Sequence, residues 1–203
     1  MIAALLLAAG AARRFGAPKL LQELHGKPTI RWSAEALTSA AQDVIVVVPA
    51  AATALRAALD GLSLRFVVNP APERGIGTSI ASGIAGVGAD ARAALIALAD
   101  EPTISADTTS RVVDRYGSGG CSIVVPSYGG TPGHPVLFDR SLFPDLLALT
   151  GDRGARTVVE RNASRVAVLE IDSPPPIDVD TPADLARVRE HAQYFTSSRS
   201  KRP

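Results

Sequence analysis

Four runs of the chain are apolar at nearly every position: IAALLLA (2–8), DVIVVVP (43–49), LRFVVN (64–69) and AALIALAD (93–100). A strand with one wet face alternates, so unbroken runs of this length predict central parallel strands buried on both faces. Between them the spacing turns helical. In PTIRWSAEALTSA (28–40), Ile30, Ala34 and Leu37 share a side, and Pro28 suits an opening turn. AAATALRAALDG (50–61) is alanine-rich and stops at Gly61. IGTSIASGIAGV (76–87) is expected to start as a loop and become helical, and SADTTSRVVDRY (105–116) offers Ser105 or Asp107 as N-cap. Strand and helix alternate four times, which predicts the α/β class with a doubly wound, mostly parallel sheet.

After residue 120 the rhythm changes. CSIVVPSYGG (121–130) and HPVLF (134–138) read as a hairpin-like pair around a Gly/Pro turn. A helix (140–149), a polar GDRGAR segment (151–156), a strand (165–171), a proline cluster and a helix from Pro182 follow. No repeat and no linker divides the chain. Residues 1–194 are therefore expected to form a single domain, with 120–175 a small β-rich insertion over the sheet's carboxyl edge and 195–203 a disordered tail. That edge is where open α/β sheets bind ligands.

Composition narrows the function classes. The chain has 203 residues, 46% hydrophobic and only 4% aromatic, so aliphatic side chains must build the core. A formal net charge of +1 gives no basis for a nucleic-acid partner, and no apolar run is long enough to span a bilayer. Cys121 is the one cysteine, so no intramolecular disulfide can form; a reducing, cytoplasmic setting is expected. Residues 2–9 do not read as a signal peptide, because the positive charges follow the apolar run.

The chemistry is suggested first by the loop after the first run, G-A-A-R-R-F-G-A-P-K (10–19). It matches neither G-x-G-x-x-G nor the P-loop, since Lys19 stands three residues after Gly16. Yet Gly10 and Gly16 let a backbone close on an anion, and Arg14 and Lys19 can neutralise charge. A merely solvated cationic loop is the alternative. Asp100 ends a buried run opposite that loop, a place for Mg²⁺ or for a helix-capping carboxylate. Asp178 and Asp180, two apart, point to the same side of an extended segment, with capping of the helix from Pro182 the alternative, mainly for Asp180. No Cys/His cluster has zinc spacing and no G-x-S-x-G elbow is present.

L-A-A-G-x-x-x-R-x-G-x-x-K (7–19) resembles the signature of the molybdenum cofactor cytidylyl- and guanylyltransferases. The likeness extends to KPTI (27–30), NP…RGIGTSIASGI (69–84), LADEP (98–102), GHPVLF (133–138), GDRGAR (151–156) and DVDTPADL (178–185). The last four look most like the cytidylyltransferase branch. The resemblance implies a Rossmann-like nucleotidyltransferase fold, with Lys19 and Arg14 catalytic and Asp100 a metal ligand. It implies a second ligand near the carboxyl end, with Asp178 preferred and Asp180 the alternative. Leu7, Ala8, Ala9, Gly10, Gly75, Thr78 and Ser79 would meet the nucleotide, Gly75 and Gly77 letting the chain pass close to the base. His134, Asp152 and Arg156 would meet the acceptor, with a salt-bridged loop the alternative for the last two. Glu101 stands where such relatives often have glutamine and is given no role.

The implied reaction is Mg²⁺-dependent transfer of CMP from CTP to the phosphate of molybdopterin or molybdenum cofactor, with pyrophosphate released. CTP is favoured because Ala9 stands where guanylyltransferases tend to have glycine, its methyl filling room a purine needs. A molybdoenzyme maturation chaperone is the implied protein partner. Two other readings stay open: transfer to a different phosphate monoester (a sugar phosphate, methylerythritol phosphate or phospholactate), and a non-catalytic cofactor-binding or delivery protein.

Overall fold

A computed structural model describes residues 1–10 and 15–190. In chain order the strands are β1 (Ile2–Leu7), β2 (Glu23–Leu24), β3 (Lys27–Pro28), β4 (Asp43–Val48), β5 (Arg65–Val68), β6 (Ala93–Leu98), β7 (Ile123–Tyr128), β8 (Thr131–Pro132), β9 (Val136–Asp139) and β10 (Val166–Glu170). The helices are α1 (Thr29–Thr38), α2 (Thr53–Ala58), α3 (Ile76–Ala85), α4 (Ala106–Gly117), α5 (Phe143–Leu147), α6 (Arg156–Arg161) and α7 (Pro182–Glu190). The main sheet runs β10-β7-β9-β6-β1-β4-β5, with β8 paired to β7. β1 is parallel to both β4 and β6, and β9 alone on this path runs antiparallel to its neighbours.

The runs at 2–8, 43–49 and 93–100 are unbroken because both faces of their strands are covered; the run at 64–69, also expected to be central, is instead the edge strand β5, with Arg65 and Val68 exposed. Along β1 and its exit, Ile2, Ala4, Leu6 and Ala8 join one core with Ile30, Ala34 and Leu37 of α1 and Val112 of α4. Leu5, Leu7 and Ala9 join the opposite core with Ile80 and Ile84 of α3, Phe143 of α5 and Val158 of α6. Each fully buried leucine of this kind contributes about 1.5–3 kcal/mol, so the central strands are where folding stability concentrates. Ser105, rather than Asp107, is the N-cap of α4: its Oγ accepts from Thr108 N–H at 3.0 Å.

Three further expectations change. Residues 120–175 do not lie over the sheet as an insertion; β9 pairs β6, and β7 and then β10 extend the sheet to its edge, where Val168 is exposed. Helix α3 begins directly at Ile76, with no preceding loop inside 76–87, since Gly75 at φ 97° makes the turn by itself. The polar segment at 151–156 runs straight into α6. Residues 191–203, including the expected tail, lie outside the described residues. Among the described residues no helix is long and apolar enough to cross a membrane.

Candidate active site

β1 and β6 pair in register with Leu7 opposite Leu98, so the segments that follow them emerge side by side. Ala99 N–H donates to the Leu7 carbonyl at 3.1 Å and extends that pairing by a residue. Asp100 is thereby delivered to the mouth of β1. Lys19 opens a short 3₁₀ turn on the far side of the loop. Its Nζ donates to Asp100 Oδ2 at 2.6 Å and to Asp180 Oδ1 at 2.8 Å. The Lys19 side chain is only 12% exposed. Burial by itself would lower its pKa, but the hydrogen bonds and charges of the two aspartates outweigh that and raise it. Lys19 is therefore a fixed ammonium.

The chain returns over the carboxyl ends of the strands in a strap that carries the second acid. Val179 N–H donates to the Asp100 carbonyl at 2.8 Å. The Val179 side chain is fully buried with Leu24, Leu185 and Val188. Its neighbours at 178 and 180 must then lie on the other side of the strap. A capping box fixes the strap's end: Asp184 Oδ2 accepts from Thr181 N–H at 2.9 Å, and Thr181 Oγ1 accepts from Asp184 N–H at 3.2 Å. Of the two candidate acids, Asp180 is the one bonded to Lys19. Asp178 keeps an exposed edge. Loss of solvent at its carboxyl, followed by the charges of Glu101, Asp100 and Asp180, pushes its pKa up to about 6.

Glu101 turns inward from the same segment. It is 6% exposed, and its Oε1 lies 2.9 Å from His134 Nδ1. His134 in turn lines a cleft of about 640 Å³ on the α3 side of the sheet. Leu7, Ile76, Leu98, Val125, Val136 and Val168 form aliphatic walls. Asp152, Arg153 and Arg156 line the same cleft. Arg156 Nε donates to Glu160 at 3.2 Å, so the ion-paired alternative for that loop is realised while the residues still face the cleft. The three expected acceptor residues are thus brought together. The Glu101–His134 pair went unread, because sequence does not reveal which of two adjacent acids is buried.

The segment expected to meet the base is organised differently from its forecast. Asn69 Nδ2 donates to Thr78 Oγ1 and to Ser79 Oγ, both at 2.9 Å. Thr78 Oγ1 also donates to the Gly75 carbonyl at 2.8 Å, and Ser79 is 5% exposed. These hydroxyls brace the turn that precedes them. Protein backbone approaches closely at both Gly75 and Gly77. A Cβ at Gly77 would stand 2.8 Å from Thr150 backbone atoms, and one at Gly75 would stand 2.4 Å from Gly151 C. Gly77 N–H donates to the Gly151 carbonyl at 2.9 Å, and Gly151 N–H to the Arg74 carbonyl at 3.0 Å. Ala9 is buried and belongs to the core cluster that includes Leu7 and Ile80. Gly10 is exposed; Arg14 lies outside the described residues.

Four carboxylates, Asp100, Glu101, Asp178 and Asp180, thus gather around Lys19 and His134. Among the described residues no group of three or more His, Cys, Asp or Glu is arranged to hold a metal ion. The donor set still fits a hard divalent cation at one point. Oxygens of Asp100 and Asp180 converge on a single positive charge, the Lys19 ammonium, which stands in for a cation there.

The sequence model of the MobA-like NTP transferase domain matches residues 4–167. Purine catabolism protein PucB of Bacillus subtilis is 31% identical over 199 residues, covering 90% of this chain and 93% of its own. Among solved structures, Rv0371c from Mycobacterium tuberculosis is 29% identical, with a TM-score of 0.83 over 93% of this chain and 97% of its own. Its complex with manganese is 30% identical, with a TM-score of 0.78 over 94% and 98%.

Proposed function

We propose, from the premise that this chain belongs to the MobA-like NTP transferase domain family, that it transfers CMP from CTP to the phosphate of molybdopterin or its molybdenum-loaded form. The observation that carries this reading is Lys19 held between Asp100 and Asp180 where β1 and β6 end. In the transfer, an oxygen of the acceptor's phosphate bonds to the α-phosphorus. The bond from that phosphorus to the β-phosphate oxygen breaks, and its electron pair leaves with pyrophosphate. Such transfers need little covalent help; positioning and charge neutralisation dominate.

Lys19 supplies a preorganised charge for the oxygens that become more negative, and Arg14 stands in the same loop. Asp100 and Asp180 would hold the divalent ion, Mg²⁺ in our reading, and the manganese bound by the Mycobacterium tuberculosis neighbour supports divalent metal use. Bound there, such an ion neutralises phosphate charge and polarises the phosphoryl group under attack. The main chain of Leu7, Ala8, Ala9 and Gly10, with the turn at Gly75, borders the nucleotide. The aliphatic cleft suits a flat ring system better than a polyol, whose hydroxyls would need more polar partners than its walls offer. His134, Asp152 and Arg156 face the acceptor in that cleft. The same reading puts the enzyme in the cytoplasm, with a molybdoenzyme maturation chaperone receiving the product.

The test incubates the protein with each nucleoside triphosphate, Mg²⁺ and molybdopterin, and identifies products by mass. A CMP adduct of molybdopterin is expected. Adducts formed only with a sugar phosphate or methylerythritol phosphate would reassign the acceptor, and no adduct with any acceptor would favour a delivery protein.

A further inference from the structure

We propose that Glu101 is a positioning residue that holds His134 so that its Nε2 donates to the acceptor's attacking phosphate. The inference rests on the nucleotidyl-transfer reading above and adds Glu101 to it, together with the atom through which His134 acts. Glu101 follows Asp100 directly, so the pair lies where the cleft meets the Lys19–Asp100–Asp180 cluster. The attacking phosphate must come to that junction.

His134 is fixed at both its ring and its main chain. Glu101 Oε1 accepts from Nδ1 at 2.9 Å, which leaves Nε2 as the ring nitrogen able to meet a ligand. Tyr128 OH donates to the His134 carbonyl at 2.9 Å. The Tyr128 ring packs so tightly on the preceding residue that a Cβ at Gly133 would stand 2.8 Å from Cε2. Glu101 is itself held: Ser33 Oγ donates to its carbonyl at 3.1 Å. The imidazole therefore has little freedom, and its side chain is 32% exposed at the cleft.

The second observation is Glu101 Oε2. It is buried and, among the described residues, has no hydrogen-bond partner. A buried carboxylate oxygen with no donor is costly, and a fold built for stability alone would not keep one. It makes sense where the carboxylate is needed for the charge it places behind an imidazole. With that charge at Nδ1, the ring is favoured as imidazolium, a donor at Nε2 for an anionic oxygen. No proton changes hands in the transfer: the acceptor's phosphate supplies the electron pair, and pyrophosphate leaves with the pair of the broken bond.

The experiment compares wild type with Glu101→Ala, Glu101→Gln, His134→Ala and the double variant Glu101→Ala/His134→Ala. Molybdopterin is varied at saturating CTP, and the CTP KM and the melting temperature are measured alongside. Each alanine variant should lower kcat/KM for molybdopterin by roughly 10–100-fold, the loss expected for one charge-assisted hydrogen bond. The CTP KM should stay within about threefold. The double variant should be no worse than the worse single one, because the two act as a unit. Glu101→Gln, which keeps an acceptor for Nδ1–H but removes the charge behind the ring, should recover only a small part of the loss; full recovery would show that the charge is not what matters. The melting temperature of each variant should stay well above the assay temperature, so that the losses are read in turnover and not in folding. Losses that multiply, or that fall equally on CTP, overturn the proposal. If wild type does not use molybdopterin, the functional reading fails separately, and inorganic phosphate then tests the pair. Added with Mg²⁺ and a non-hydrolysable CTP analogue, it should shift the His134 Nε2 NMR signal in wild type but not in Glu101→Ala; no shift in wild type overturns the proposal.

Discussion

The Lys19 ammonium lies 2.6 Å from Asp100 Oδ2, a charge-assisted hydrogen bond shared with Asp180 at 2.8 Å. One lysine thus satisfies two acids that would otherwise repel each other. Wherever a divalent cation takes those acids, it competes with that lysine.

Replacing Lys19 by Met should therefore have two separable effects. The first is a fall in kcat of roughly 10²–10⁴-fold, as for loss of a preorganised transition-state charge. The second is on stability: in chelator the variant should melt below wild type, and Mg²⁺ should raise its melting temperature more than it raises that of wild type. A ligand at about 100 times its Kd adds about 2.7 kcal/mol, so calorimetry resolves the difference. An unchanged kcat, or a smaller Mg²⁺ response than wild type, would rule out this role.

Asp180→Asn and Asp178→Asn should differ. If Asp100 and Asp180 hold the metal, Asp180→Asn abolishes most of the Mg²⁺-dependent rise in melting temperature and most turnover, while Asp178→Asn keeps the rise. The reverse pattern would move the ligand register to Asp178.

His134 gives a pH dependence of known sign. Desolvation by itself would lower its pKa; the Glu101 hydrogen bond and the charges of Glu101, Asp178 and Asp100 raise it above the ordinary 6.5. A group whose pKa is raised on folding contributes stability that is complete below its unfolded value and lost as pH rises through the folded one. In chelator, His134→Asn should be less stable than wild type at pH 5.5, and the gap should shrink by pH 9. Urea midpoints across that range check it; a constant gap would contradict the raised pKa.

Gly77→Ala should cost about 1–3 kcal/mol, because the new methyl meets backbone at Thr150 rather than a side chain that could turn away. A fall of several degrees in melting temperature is expected for a chain of this size. Because 150–156 would have to move, the molybdopterin KM should rise as well. A melting temperature equal to wild type would show that the loop yields freely.

CTP should outcompete GTP at equal concentration, by roughly 10–200-fold if differences of about 1–3 kcal/mol separate the bases. Since the Ala9 methyl lies in the core, Ala9→Gly should cost about 0.5–1 kcal/mol of stability and leave that ratio nearly unchanged. A native preference for GTP would overturn the cytidylyl reading.

Much of this was legible because burial on two faces leaves a plain trace. The runs at 2–8, 43–49 and 93–100 became the buried strands β1, β4 and β6, whereas 64–69 became β5 at the sheet's edge, with Arg65 and Val68 exposed; Asp100 and Lys19 followed from their places at strand and loop ends. The pairing of Asp180 rather than Asp178 with Lys19 was not legible. Both lie on the side of the strap opposite Val179, so alternation does not choose between them; the choice rests on where the strap docks along the strand ends, set by Val179 N–H on the Asp100 carbonyl and by its packing against Leu24 and Leu185. Nor could the chain reveal that Gly75 and Gly77 admit residues 150–151, since a glycine signals a close approach without naming what approaches.

The strap that carries Asp180 has a consequence for how the molecule assembles. Lys19 meets Asp180 161 positions away along the chain, whereas the β1–β4 and β1–β6 pairings join residues about 40 and 91 apart. Closing the longest of these loops costs more chain entropy and is rewarded by few contacts until the strap has docked. On dilution from denaturant, tryptophan fluorescence from Trp32, which packs at the strap, should recover with the return of activity and after the sheet's circular dichroism signal. Enzymatic competence would then mark the last step of folding, and an intermediate with an intact sheet and no turnover should accumulate first.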